Sequence, residues 1–196
     1  EQLDAFSAGS HQKAAIATEK GWFRNEILPV EITHEDGRSE TMSHDEGIRP
    51  DTTAAKLAAL KPAFDEKGVI TAGNSSQITD GAAAILIMER KRAEQLGLKP
   101  RARFHAFALG TCDPVIMLTA PIPATHAVLK RAGMSLNQID AVEINEAFAP
   151  VVLAWAKEFG ADMSKVNPHG GAIALGHPIG ASGARLMTTL LNYLER

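Results

Sequence analysis

Cysteine occurs once in the 196 residues, at Cys112, and aromatic side chains make up only 5% of the chain. A lone thiol closes no internal disulfide, which fits a reducing compartment. So few aromatics argue against the stacking surface on which single-stranded nucleic acids are bound. An excess of one charge is also missing: 20 Lys+Arg against 23 Asp+Glu leave a formal net charge of −3. That balance favours neither nucleic acid nor an anionic membrane as partner. The longest apolar run, from Gly81 to Met88, falls far short of the roughly 20 residues that a membrane-spanning helix requires. Together these absences predict a cytoplasmic protein with no membrane span and no nucleic-acid partner.

What is present is an alternation of helix-like and strand-like segments. Residues 1–20 carry a loosely amphipathic pattern through Leu3, Phe6, Ile16 and the alanines, with Gly21 as its stop. The first residue is not methionine and the pattern starts in mid-helix, so the chain is expected to be part of a longer protein. Residues 22–32 read as a turn and a short strand held to a sheet edge by Pro29. The polar stretch 33–53 reads as an exposed, insertion-like loop. Its two histidines, His34 and His44, lack ligand spacing on a shared face, and no metal site is assigned. A short helix before Pro62, a strand over 69–76, a continuously apolar strand over 81–88 buried on both faces, and a charged helix ending at Gly97 follow. Beyond Pro100 come a strand over 102–110, a helix closed by Gly133, a short strand at 141–144, a helix ending at Gly160 and a terminal helix. Strands alternating with helices predict an α/β layered fold around a buried sheet.

Two places carry chemistry. The first, Asn167–Arg185 (NPHGGAIALGHPIGASGAR), holds five glycines, Gly170, Gly171, Gly176, Gly180 and Gly183, and two histidines. Glycines at this density allow tight turns and close approach of backbone N–H groups to a ligand. His177 stands between Gly176 and Pro178, at a loop-to-helix junction, where an imidazole can be held rigidly for proton transfer. The second is Ile144-Asn145-Glu146-Ala147-Phe148, where a strand ends in an amide and a carboxylate before an apolar helix. Open α/β sheets collect ligands at such carboxyl ends. Asn145 also suits the N-cap of the following helix. An amide and an imidazole together can hold a water or donate to a developing oxyanion.

These blocks, VEINEAFA at 142–149 and NPHGGAIALGHPIGASGAR at 167–185, resemble the two signature blocks in the second half of the thiolases, the acetyl-CoA acyltransferase family. The similarity runs back through TAGNSSQITDGAAAILIMERKRAEQLGLKPRARF and IRPDTTAAKLAALKPAFDEKG, and so covers essentially the whole chain. The resemblance implies a layered αβαβα fold. Residues 1–76 would be the later part of a loop domain that covers coenzyme A, 77–99 the last part of the first half, and 100–196 the second half without its final strands. It implies that His177 is the base for a nucleophilic cysteine and that Asn145 shares an oxyanion hole with it. Ser76 and Arg49 would contact coenzyme A, and Ala147 and Phe148 would line the pantetheine approach. Acyl-CoA and coenzyme A are then substrates, with no tightly bound cofactor, and the protein is expected to be a homo-oligomer.

The departures are specific. Neither the Cys-x-Ser-Gly setting of the family's nucleophile nor the Cys-x-Gly hairpin of its second cysteine is present, and Cys112 in LGTCDPVIM replaces neither. Gln77 stands where glycine is usual, Lys56 where some members carry a serine that contacts coenzyme A, and His169 where asparagine is frequent. The expectation is a portion of a CoA-dependent thiolase, inactive on its own. The alternative is a thiolase-like protein that binds acyl-CoA without catalysis. A decarboxylating condensing enzyme is disfavoured by Pro178 and Asn145. Direction and acyl chain length stay open, with degradation slightly favoured.

Overall fold

Seven α-helices, two 3-10 turns and one β-hairpin make up the regular structure of the computed structural model, which describes residues 1–196. Helix α1 (Gln2–Glu19) turns a face of small and polar residues inward, with Asp4, Ser7, Ser10, His11, Ala14 and Ala17 buried. Their spacing of three and four places them on one stripe. Of the apolar residues anticipated to form its packing stripe, Ala14 and Ala17 are buried and Phe6 packs against the cluster around Val152, whereas Ile16 is exposed and the inward face stays one of small and polar residues. The reason is proximity: α1 lies against the glycine loop, and a Cβ on Gly170 would stand 2.5 Å from the Ser10 carbonyl oxygen. Only small side chains fit at such an approach.

Pro29 is followed directly by β1 (Val30–Thr33), which pairs antiparallel with β2 (Ser39–Met42) in the register Val30↔Met42 to Thr33↔Ser39. The stretch expected to be only an exposed loop therefore contains half of a hairpin, while remaining largely exposed. Across it His34 Nε2 lies 3.1 Å from Glu40 Oε1. No group of three or more His, Cys, Asp or Glu residues is arranged to hold a metal ion.

Helix α2 (Ala54–Ala58) is capped by the Thr53 hydroxyl, which accepts from the Lys56 N–H at 3.2 Å. The strand expected over 69–76 is replaced by a 3-10 turn at Ala72–Asn74. Asn74 is the cause: its Oδ1 accepts from the Thr71 N–H at 3.0 Å and its Nδ2 donates to the Val69 carbonyl at 3.0 Å, closing the chain on itself. On either side only single bridges form, Pro62↔Thr71 and Ser75↔Phe148.

The strands expected over 81–88 and 102–110 form no ladder with any part of the chain. Leu86 and Leu109 are 78% and 96% exposed rather than buried. A strand lacks internal hydrogen bonds and depends on its neighbours, and none of the 196 residues supplies one here. Helix α3 (Arg90–Gln95) lies between these segments. The 141–144 segment has one parallel bridge, Val142↔Val166, with the Val142 N–H donating to the Lys165 carbonyl and the Asn167 N–H to the Val142 carbonyl, each at 2.9 Å.

Helix α4 (Pro121–Ala132) begins with proline and ends at Gly133 in the left-handed region, and α5 (Ala149–Phe159) ends likewise at Gly160. Two small cores result. Ile144, Val152, Trp155, Ala156 and Val166 join α5 to the 142–166 bridge. Ala14, Ala17, Phe23, Ala174 and Leu175 join α1 to α6 (Ala172–Leu175). A fully buried side chain such as Val152 contributes about 1.5–3 kcal/mol. The second core sets the short α6 helix in place, and the chain then turns through His177 into α7 (Ser182–Glu195).

Candidate active site

Asn145 is not an N-cap. Phe148 occupies that place with an extended backbone, and α5 starts at Ala149, next to Pro150 in its first turn. Residues 145–148 stay out of the helix because they lie along 75–76, where the Ser76 N–H donates to the Ala147 carbonyl at 3.0 Å. Successive side chains of an extended segment point to opposite sides. Asn145 and Glu146 accordingly part company.

Glu146 points inward and is 1% exposed, instead of standing at a ligand-facing end. Its Oε2 accepts from Ser10 Oγ at 2.7 Å and from the Ile173 N–H at 3.2 Å, and its Oε1 accepts from Asn167 Nδ2 at 2.9 Å. Burial raises its pKa, and the donors from Ser10, Asn167 and Ile173 counteract that rise. Asn167 holds a left-handed backbone, φ 43, and clamps Ile144 by accepting its N–H and donating to its carbonyl, both at 2.9 Å. Glu146 thus ties α1, the 144–146 segment and the glycine loop into one unit.

Asn145 faces the other way. Its Nδ2 lies 3.2 Å from His177 Nε2, while its Oδ1 is buried and bonded to no protein group. The second imidazole nitrogen, Nδ1, lies 2.6 Å from Ser182 Oγ. Gly176 precedes the histidine at φ 90, and a Cβ there would collide with the Thr79 side chain. The His177 N–H donates to the Gln77 carbonyl at 3.1 Å. Pro178 does not open α7 directly. Its carbonyl accepts the Ala181 and Ser182 N–H groups in a turn, and the helix starts at Ser182. A cleft of about 440 Å³ lies between residues 79–83 and 178–181, and neither His177 nor Asn145 lines it.

The structure therefore brings Asn145 and His177 into contact and sets Ser76, Ala147 and Phe148 alongside them. The Phe148 ring meets Phe64 edge-on at 6.0 Å between centroids. Arg49 is exposed; its backbone N–H donates to His11 Nδ1 at 3.1 Å, leaving the guanidinium bonded to no carboxylate. Lys56 is paired with Asp51 at 2.5 Å. His169 is 1% exposed, stacked on Trp22 at 5.0 Å and edged by Phe23 and Tyr193; burial lowers its pKa to about 4.

The roles of three residues are not apparent from the sequence, where Gln77 stands out only as a departure from glycine. Gln77 bridges two segments, its Nε2 donating to the carbonyls of Gly47 at 2.8 Å and Ile173 at 2.9 Å. Ser10 lies on a helix far away in sequence and gave no signal. Ser182, five residues after His177 and at the start of a helix, had the only legible one.

The chain belongs to the thiolase family: residues 98–196 match the family model of the thiolase C-terminal domain and residues 1–91 that of the thiolase N-terminal domain. It is 53% identical to a 3-ketoacyl-CoA thiolase of Vibrio cholerae over 199 residues, covering 100% of this chain and 51% of that protein. With a 3-ketoacyl-CoA thiolase of Escherichia coli the identity is 51%, over 100% of this chain and 52% of the relative. The fold matches the crystal structure of the Bacillus anthracis acetyl-CoA acetyltransferase with a TM-score of 0.95 at 42% identity, covering 100% of this chain and 49% of that one. It also matches human mitochondrial 3-ketoacyl-CoA thiolase in complex with CoA, with a TM-score of 0.90 at 39% identity over 99% and 48% of the two chains. The α/β thiolase-like fold is thus shown for this chain, which spans about half the length of the curated relatives it matches. None of its helices is long and apolar enough to cross a membrane.

Proposed function

We propose that these residues are a portion of a CoA-dependent acyltransferase that cleaves 3-oxoacyl-CoA thiolytically or runs the reverse condensation. The observation that carries this reading is the pair Asn145–His177, an amide nitrogen and an imidazole nitrogen 3.2 Å apart. Thiolysis needs a thiolate to take up the acyl group, a base to generate it and donors for the oxyanions. In this reading His177 is the base and an oxyanion donor, and Asn145 completes the oxyanion site. Ser76, Ala147 and Phe148 line the approach of the pantetheine arm, and Arg49 has a free guanidinium for a phosphate of coenzyme A.

No thiol of this chain serves as nucleophile. Cys112 Sγ donates to the Met117 carbonyl at 3.1 Å, has no histidine partner and lies in a segment expected to need no thiol. The nucleophile is assigned to residues outside these 196. Residues 1–76 are read as loop domain, 77–99 as the end of the first half and 100–196 as the second half. Coenzyme A and acyl-CoA enter as substrates, not as tightly held cofactors. A cytoplasmic homo-oligomer is the expected setting, its compartment supported by the single cysteine. The names of the relatives favour the degradative direction.

The test is to incubate the full-length protein with acetoacetyl-CoA or longer 3-oxoacyl-CoA and free coenzyme A. The reading expects acetyl-CoA to form in step with loss of the 3-oxoacyl thioester. Binding of acyl-CoA without any turnover would instead identify a non-catalytic binding protein.

A further inference from the structure

We propose that Ser182 is a positioning residue for His177, selecting the imidazole tautomer that leaves Nε2 as a bare lone pair facing Asn145. The kinetic meaning of this proposal rests on the thiolase reading of the site, whereas the tautomer itself does not.

The geometry is a directed chain of four groups. Ser182 is 5% exposed, and its hydroxyl sits 2.6 Å from His177 Nδ1 and 3.0 Å from the Pro178 carbonyl oxygen. A hydroxyl has one proton to give and lone pairs to receive. The Pro178 carbonyl can only accept, so the Ser182 proton goes to it and the Ser182 oxygen receives Nδ1–H. A neutral imidazole has a single N–H. With that proton on Nδ1, Nε2 is an acceptor, and the group facing it at 3.2 Å is the donor nitrogen of Asn145.

The local backbone keeps this chain rigid. Ser182 is the first residue of α7, and its own N–H also donates to the Pro178 carbonyl, at 2.9 Å. The serine is therefore held at two atoms to the residue that follows His177. Which nitrogen of a histidine is basic is set by the bond that the other nitrogen makes. When Nε2 takes a proton from a thiol, the thiol becomes thiolate and Nδ1–H stays on Ser182. Without the serine the ring keeps its place in the chain but loses the fixed tautomer.

The experiment uses the full-length protein labelled with 15N-histidine, with His177 assigned through its loss in the His177→Asn variant. Long-range 15N–1H correlation at a pH where the ring is neutral reads the tautomer. The expected result is an unprotonated Nε2 in the native protein, a shift toward the Nε2–H form in Ser182→Ala, and return of the native pattern in Ser182→Thr. Thiolysis by Ser182→Ala should fall about tenfold in kcat, the equivalent of one neutral hydrogen bond, with KM for coenzyme A unchanged and recovery in Ser182→Thr. An Nε2–H tautomer in the native protein overturns the proposal, as does a Ser182→Ala variant with native tautomer and native kcat. If Ser182→Ala does not fold, the native spectrum alone decides. A full-length protein with the expected tautomer but no thiolysis would refute the thiolase reading and leave the role of Ser182 standing.

Discussion

Gly171 and Glu146 face one another so closely that no side chain fits between them: a Cβ on Gly171 would overlap the Glu146 carboxyl group. The same carboxylate accepts from Ser10, whose oxygen in turn accepts the Gly171 N–H at 3.0 Å. A helix from the start of the chain is fastened through this contact to the loop that carries His177.

Gly171→Ala should therefore act at a distance from the chemistry. Overpacking at a tight internal contact costs about 1–3 kcal/mol. Urea unfolding of the full-length protein should show a loss of that order, accompanied by reduced turnover as the His177 loop shifts. An unchanged midpoint with unchanged turnover would mean that the loop tolerates displacement and that the contact fixes nothing.

Glu143 and Glu26 give the protein a pH dependence of defined sign. Burial raises the Glu143 carboxyl to about 8 and Glu26 to about 7, with Arg185 opposing the rise at both. Their folded pKa values lie above the ordinary carboxyl value, so the stability linked to them is complete below that value of 4.5 and declines as pH rises from there to about 7 for Glu26 and about 8 for Glu143. Half-buried Asp45 shifts in the same direction. His169, lowered to about 4 by burial, acts oppositely, but its effect lies between pH 4 and 6.5. The melting temperature should fall between pH 6.5 and 8, above the range in which His169 acts, and fall less in Glu143→Gln. A melting temperature that rises over this range would contradict these environments.

Cys112 is expected to be dispensable. Cys112→Ser in the full-length protein should leave turnover unchanged, because the thiol contacts only the Met117 carbonyl. A polypeptide of residues 1–196 alone should catalyse no thiolysis. It should also self-associate, since Leu86, Leu109 and Val115 are 78%, 96% and 90% exposed and apolar patches of this kind seek cover. Acylation of Cys112 by acetoacetyl-CoA, or a monomeric active fragment, would place the nucleophile wrongly.

The helices were legible because their stops are local: Gly133 and Gly160 end α4 and α5 in the left-handed region, as their positions in the sequence indicate. His177 stood out for the same reason, framed by Gly176 and Pro178. The strands were not legible in this way. The run 81–88 has the composition of a buried strand, but composition cannot supply the neighbour that a ladder requires, and Leu86 remains exposed. Asn145 was misread as a helix cap because the pairing of 75–76 with 147–148, which keeps it out of the helix, joins residues far apart in sequence. Glu146 looked like a ligand-facing carboxylate for a similar reason. Nothing near it announces Ser10, Asn167 and Ile173 as its partners.

The most direct measurement compares turnover with coenzyme A binding in His177→Ala and His177→Asn variants of the full-length protein. His177 is held by Asn145, Ser182 and the Gln77 carbonyl, and its proposed work is done in the transition state. Removing one such donor costs about 3–4 kcal/mol, or roughly 10²–10³ in kcat. The account predicts a loss of at least that size, with the dissociation constant of coenzyme A nearly unchanged. Native turnover in either variant, or a loss confined to coenzyme A binding, would contradict it.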